Sequence, residues 1–224
     1  MRRLAGAAAL LLLLGGCAGG HSRPRPRTAR DRLPLMVLRK SVYGLQAAGF
    51  GKAGPSGVLS NERRAESDLE PLITPSYLTR AGRLSGYALQ FGPGRSRISN
   101  ALQQRNGLLE IGSLVELYRD EPSVSRELKK SVRDLRSLVG KPLNLGGTLE
   151  RVRVTRVSGI GDEALRLTLV VRVSGVRIRI TEVGFRSGRL AGIVAETRAD
   201  ATNVDAELTS LARALDRRIG RVLG

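Results

Sequence analysis

Residues 165–181 read LRLTLVVRVSGVRIRIT. Leu165, Leu167, Leu169, Val171 and Val173 alternate with Arg166, Thr168, Val170 and Arg172. A period of two with one apolar side is the mark of a half-buried β-strand. Ser174-Gly175 is a two-residue connection of the kind that closes a tight hairpin. Val176, Ile178 and Ile180 then alternate with Arg177, Arg179 and Thr181. The turn fixes the register, so Arg172 faces Arg177 and Val170 faces Arg179 across the pair. The alternation breaks at Glu182, because Val183 and Phe185 are apolar on the opposite parity, and this predicts a bulge there.

Working outward, Ser187-Gly188 turns the chain again and Leu190 to Glu196 forms a further strand. Thr202 or Asn203 caps a last helix whose apolar side is Val204, Leu208, Leu211, Leu215, Ile219 and Val222. Arg213, Arg217, Arg218 and Arg221 stay outside, where they suit the negative end of the helix dipole. Upstream, Leu149 to Val157 reads as a strand. Glu121 to Val139 reads as a helix, with Pro122 in its first turn and Val124, Leu128, Val132, Leu135 and Val139 at helical spacing. Arg83 to Phe91 and Leu108 to Tyr118 read as strands, the second with Leu109, Ile111, Val115 and Leu117 toward the core. A short helix over Pro75 to Ala81 follows Thr74, and another starts at an Asn61 cap and stops near Pro71. Gly49 to Gly57 reads as a loop and Leu35 to Leu38 as a short strand. The sum is α+β: an antiparallel β-meander, helices packed on one face and a C-terminal amphipathic helix, forming a single domain over 33–224.

The start of the chain has another character. Arg2 and Arg3 precede an apolar run from Ala5 to Leu14. It is shorter than the roughly 20 apolar residues a membrane span needs, and it has the length of a secretory signal core. Leu14, Gly15 and Gly16 lead into Cys17, the only cysteine of the chain. That spacing resembles the lipobox of bacterial lipoproteins, in which the cysteine carries a diacylglycerol thioether and becomes the first mature residue. Residues 1–16 are then a signal peptide, and 17–32 a lipidated cysteine with an Arg/Pro tether in which Arg23, Arg25, Arg27, Arg30 and Arg32 lie just beyond the lipid. Several acyl chains anchor stably where one myristoyl chain is marginal, so the expected location is the extracytoplasmic face of the cell membrane. Basic residues beside a lipid anchor add roughly 1 kcal/mol each near an anionic surface.

The formal net charge is +18, from 33 Arg and 5 Lys against 20 acids. Such a surplus draws anionic partners. Arginine in place of lysine is also what a GC-rich genome writes, and both origins of the basicity stand. Beyond a membrane the anions on offer are phospholipid headgroups and acidic wall polymers. Aromatic residues make up 3% and Trp is absent, which argues against a nucleic-acid partner, since base stacking needs exposed rings.

Catalytic constellations are missing. The single histidine, His21, sits in the tether, where no imidazole is held in place for a triad. With Cys17 lipidated, zinc chemistry on His and Cys is excluded. Glu110 and Glu116 share a strand parity but lie about 20 Å apart by the strand rise, against roughly 5–10 Å for a glycosidase pair. Asp162-Glu163 falls in a glycine-rich turn without the alternating acids of an EF-hand, and Gly159-Ile-Gly161 lacks the Lys-Ser/Thr of a phosphate loop. The expectation is no cofactor, no metal and no enzyme. The one constellation with a chemical meaning is the arginine face of the hairpin, Arg172, Arg177 and Arg179 with Arg166 farther down. Like charges opposed on a sheet are unfavourable unless something relieves them, which points to an anion-accepting surface or to a solvated face.

The stretches Ala81-Gly82-Arg83-Leu-Ser-Gly86-Tyr87, Gly159-Ile-Gly161-Asp162-Glu163-Ala164 and Val183-Gly-Phe185-Arg186-Ser-Gly188, the last before a terminal amphipathic helix, resemble actinobacterial envelope lipoproteins with a PsbP-like fold. The resemblance covers residues 33 to 224 in layout. It implies the fold and an envelope location, and no activity. The function expected is that of a membrane-anchored, non-catalytic binding or accessory module of the cell envelope. The alternative is a carrier that holds a lipid or other apolar ligand between sheet and helices.

Overall fold

The computed structural model describes residues 28–68, 73–93, 107–143, 147–199 and 205–224. In chain order the elements are α1 (Ala29–Met36), a 3-10 segment (Lys40–Ala47), β1 (Gly51–Leu59), α2 (Asn61–Glu66), α3 (Pro75–Arg80), β2 (Arg83–Gly92), β3 (Gly107–Tyr118), α4 (Glu121–Ser137), β4 (Thr148–Arg156), β5 (Glu163–Val173), β6 (Val176–Ser187), β7 (Leu190–Ala199) and α5 (Asp205–Leu223). The strands form one seven-stranded sheet in the order β1-β2-β3-β7-β6-β5-β4. Every pairing is antiparallel. Two meanders, β1 to β3 and β4 to β7, meet where β3 pairs with β7, and α4 carries the chain from the middle of the sheet to its far edge.

The hairpin of β5 and β6 has the expected register, with Arg172 opposite Arg177 and Val170 opposite Arg179. Ser174 and Gly175 both have positive φ, 48° and 84°, the backbone of a type I′ turn whose twist matches the flanking strands. No bulge interrupts β6: Glu182 pairs in step with Leu167 on one side and Ala195 on the other. The apolar parity changes because different helices cover different parts of the two faces. Val183 and Phe185 lie beneath α5, whereas Ile180 packs with Leu135 and Leu169 on the opposite face.

Helices thus cover both faces of the sheet, where the sequence pointed to one. On the first face Leu33 and Met36 of α1 and Leu208, Leu211, Leu215 and Ile219 of α5 pack on Val115, Val183 and Val194. On the second, Leu135 packs on Leu149, Leu169 and Val171, and Val124 packs on Tyr118 and Ala191. Ala65, Ile73 and Leu78 join α2 to α3 on that side. A strand buried on both faces cannot show clean alternation, and β3 and β7 accordingly bury apolar residues of both parities, Leu117 and Tyr118 in one and Leu190 and Ala191 in the other. Gly192, on β7, faces Phe185 across the pair. A Cβ there would fall 2.3 Å from the Phe185 ring, so the missing side chain is the space the ring fills.

Other local readings change near the N-terminus. Leu35-Met36 belongs to α1, a helix that runs across residue 33 and is capped by Thr28, whose hydroxyl accepts from the Asp31 N–H at 3.3 Å while Asp31 accepts from the Thr28 N–H at 3.1 Å. Pro34 lies inside the helix, and burial of Leu33 and Met36 to 1% and 0% exposure, worth about 1.5–3 kcal/mol each, holds it in place. The 49–57 stretch is mostly β1, an edge strand whose register shifts between Ala53 and Gly57. Proline is tolerated at such a site, and Ser56 bridges the gap by accepting from the Gln90 N–H at 3.0 Å. The cap of α2 is Ser60, one residue before Asn61, and the helix ends at Glu66. Helix α4 ends at Ser137, and its C-cap Leu138 is buried while Val139 beyond it is exposed.

Candidate functional site

The β4–β6 part of the first face carries the arginines. Arg172 and Arg177 stand opposite each other, and both bond one carboxylate. Arg172 Nε donates to Glu150 Oε1, and Arg177 Nε donates to Glu150 Oε2 at 2.9 Å. Glu150 is available because the β4 register shifts between Leu149 and Arg151. Desolvation works to raise the Glu150 carboxyl, but the hydrogen bonds and charges of the two guanidiniums outweigh it and hold the group below the usual carboxylate range. The like-charge opposition expected from the sequence is present, and an acid of the chain itself relieves it.

Arg179 lies between Val170 on β5 and Arg198 on β7. Arg198 is paired with Glu196 at 3.1 Å. Arg166 Nη2 donates to Thr209 Oγ1 of α5, so it is drawn toward the helix and away from the hairpin tip. Arg151 and Arg153 of β4 pair in register with Val170 and Thr168, and both are exposed. The structure therefore brings Arg172, Arg177 and Arg179 together, adds Arg151 and Arg153, and sets Arg166 apart at the margin. Leu14, Gly15, Gly16 and Cys17 lie outside the described residues, as do the caps considered for α5.

The second face holds a carboxylate group that strand patterning passes over. Glu116 accepts from Arg83 Nε at 2.7 Å, Arg64 Nε at 3.1 Å and Tyr118 Oη at 3.2 Å. The Arg83 side chain is completely buried and also donates to Asn61 Oδ1 at 2.7 Å and to the Leu59 carbonyl at 3.2 Å. Burial alone would push Glu116 up, but the two guanidiniums reverse it and hold the carboxyl below its ordinary value. Glu127, which accepts from Tyr77 Oη at 2.6 Å, is pushed up by burial. A charged residue inside a strand whose neighbours are apolar on both parities was the available signal for Glu116 and Glu182.

The glycine-rich turn serves structure. Asp162 Oδ2 accepts from the Gly188 N–H at 2.9 Å and pairs with Arg186 at 3.0 Å. The Gly161 N–H donates to Asp216 Oδ2 of α5 at 2.9 Å. One turn thus clasps β5, the β6–β7 connection and the last helix.

No protein-family model matches the chain, and no curated protein matches it. Among the described residues no helix is long and apolar enough to cross a membrane. Among solved structures, the chain is similar to the extracellular domain of PknH from Mycobacterium tuberculosis, with a TM-score of 0.55 and 11% sequence identity over 87% of this chain and 97% of that one. At that identity the two chains share a fold, here traced over nearly the whole of both.

Proposed function

We propose that the protein is a lipid-anchored, extracytoplasmic component of the cell envelope whose α+β domain is a non-catalytic binding module. Its docking surface is the arginine face of the β4–β6 hairpins, and its partner is an anionic phosphate-bearing surface, either a phospholipid headgroup layer or an acidic wall polymer. The observation that carries this reading is the register itself. Arg172 and Arg177 oppose each other and share one acid, and Arg151, Arg153 and Arg179 have no carboxylate partner among the described residues. An incoming phosphate would be met by a planar array of forked donors.

The location rests on the Leu14-Gly15-Gly16-Cys17 signal, on the resemblance to envelope lipoproteins, and on the description of the structural neighbour as an extracellular domain. The described chain enters at Thr28 beside the end of α5, where Arg32 Nη1 donates to the Val222 carbonyl at 3.1 Å. Arg166 meets α5 at Thr209, about 20 Å away along the helix by its rise per residue. Arg172 lies farther along β5, roughly another 20 Å by the strand rise, and residues 17–27 reach on the order of 35 Å when extended.

The test uses residues 18–224, which lack the lipidated cysteine, and compares vesicles of phosphatidylglycerol with vesicles of phosphatidylcholine and with soluble polyglycerol phosphate. The expected result is salt-sensitive binding to an anionic probe that Arg172→Glu, Arg177→Glu and Arg179→Glu together weaken at least tenfold. Preference for vesicles assigns the headgroup, and preference for the polymer assigns the wall. Binding that survives the triple charge reversal defeats the reading.

A further inference from the structure

Beneath α4, on the face opposite the arginines, lies a partly enclosed cavity of about 160 Å³. Its apolar wall is Leu128, Leu135, Leu165, Leu167 and Ile193. Its polar end holds four carboxylates, Asp68, Glu116, Glu127 and Glu182, against the single guanidinium of Arg64. In a chain of net charge +18 this is an acidic enclave. Arg64 is already committed, since it pairs with Asp68 and with Glu116. Glu116 is further held by Arg83, and Glu127 by Tyr77 Oη.

Glu182 is different. It sits on the interior strand β6, between Leu167 and Ala195, and its carboxylate accepts no hydrogen bond among the described residues. Glu182 is half-buried and lines the cavity. A half-buried carboxylate without a hydrogen-bond partner gives up part of its hydration, and that desolvation pushes Glu182 above the usual carboxylate range, with Asp68 and Glu116 adding to the effect against Arg64.

We propose that this cavity is a binding site for a small organic cation with an apolar body, whose ammonium group pairs with the Glu182 carboxylate. The size fits such a ligand, since a cavity on the order of 150 Å³ accommodates a benzene-sized body. The cation is organic: among the described residues no three acid, histidine or cysteine side chains converge closely enough to hold a metal ion. The ammonium supplies the charge and donors that Glu182 lacks, while the ring or short alkyl body displaces poorly held water from the leucine wall. The site lies on the other face from the arginines, so it stands or falls independently of the docking reading.

The experiment is calorimetric titration of the full chain, solubilised in a non-ionic detergent, with benzylamine and with its neutral counterpart benzyl alcohol. Benzylamine is expected to bind at least ten times more tightly than the alcohol. Glu182→Gln, which keeps shape and removes the charge, is expected to abolish that preference. Ser131→Phe, which fills the cavity from α4, is expected to abolish benzylamine binding and keeps the test valid if the glutamine variant does not fold. Equal affinity for the two compounds, absence of benzylamine binding at millimolar concentration, a preference that survives Glu182→Gln, or binding that survives Ser131→Phe would each overturn the proposal.

Discussion

Two carboxylates in this molecule do the same thing in opposite surroundings. Glu150 is shared by Arg172 and Arg177 at the exposed end of a hairpin. Glu116 is shared by Arg83 and Arg64 inside the fold, with 4% of its side chain exposed. Solvent screens the first trio, which costs little to take apart. The second was assembled by removing charges from water, so each member depends on the others to offset its desolvation. The geometry is nearly equivalent and the consequence is not: the interior trio fixes α2, β2 and β3 relative to one another, whereas the surface trio leaves its arginines able to exchange one anion for another.

The largest expected break in that comparison is Glu116→Ala. It strands the buried Arg83 guanidinium and should cost about 3–5 kcal/mol of unfolding free energy, measured by urea denaturation. Replacing both partners, as Arg83→Met with Glu116→Leu, should cost less than Glu116→Ala alone, because the stranded charge is the greater part of the penalty. A double variant no more stable than the single one would show that the hydrogen bonds to Asn61 and Leu59 matter more than the charges.

A smaller effect separates Glu182 from Glu116. Glu182 binds its proton more tightly in the fold than in the unfolded chain, so protonation favours the native state as pH falls through its raised value, until the unfolded chain is protonated too. Glu116 behaves in the opposite sense, its contribution being present above the unfolded value and lost as pH falls through its depressed one. Wild type should therefore gain urea midpoint relative to Glu182→Gln on passing from neutral to mildly acidic pH, while both lose the Glu116 contribution at still lower pH. A constant gap between the two curves would place the Glu182 carboxyl in an ordinary solvent environment.

The smallest structural effect is expected at Glu150. Glu150→Ala should leave the melting midpoint nearly unchanged and strengthen binding to phosphatidylglycerol vesicles, since it frees two opposed guanidiniums. A marked loss of stability would mean that the surface trio is structural and would turn the comparison round.

Residues 165–181 gave up their strands, their turn and their register because all three follow from local rules, namely period-two burial, a two-residue connection and positive φ at Ser174 and Gly175. Even the Arg172–Arg177 opposition was legible. Glu150 was not, because its place there depends on a register shift in β4 that no local pattern marks. Glu182 was misread as a bulge for a related reason. An acid in a run of apolar residues signals either a break in pairing or a charge turned inward, and only knowledge that helices cover both faces separates the two. At the N-terminus Leu35 to Leu38 looked like a strand because a short apolar run carries no periodicity, and the helix there is fixed by its cap and by burial against α5. Strand β1 was hidden by glycine and proline, which an edge strand tolerates at an irregular register and an interior strand does not.

The contact between α1 and α5 has a consequence in time. Arg32 and the Val222 carbonyl that it bonds are 190 positions apart in the sequence, and Arg218 Nε returns the contact by donating to the Leu35 carbonyl at 2.6 Å. Contacts between residues so far apart in sequence are slow to form, because the intervening loop must close before packing rewards it. Until α5 docks, Leu33 and Met36 have only the sheet to rest on. Closing so long a loop adds only slowly to the entropic cost of the final structure. Removal of the last turn of α5 should therefore be felt first at α1, far away in the sequence.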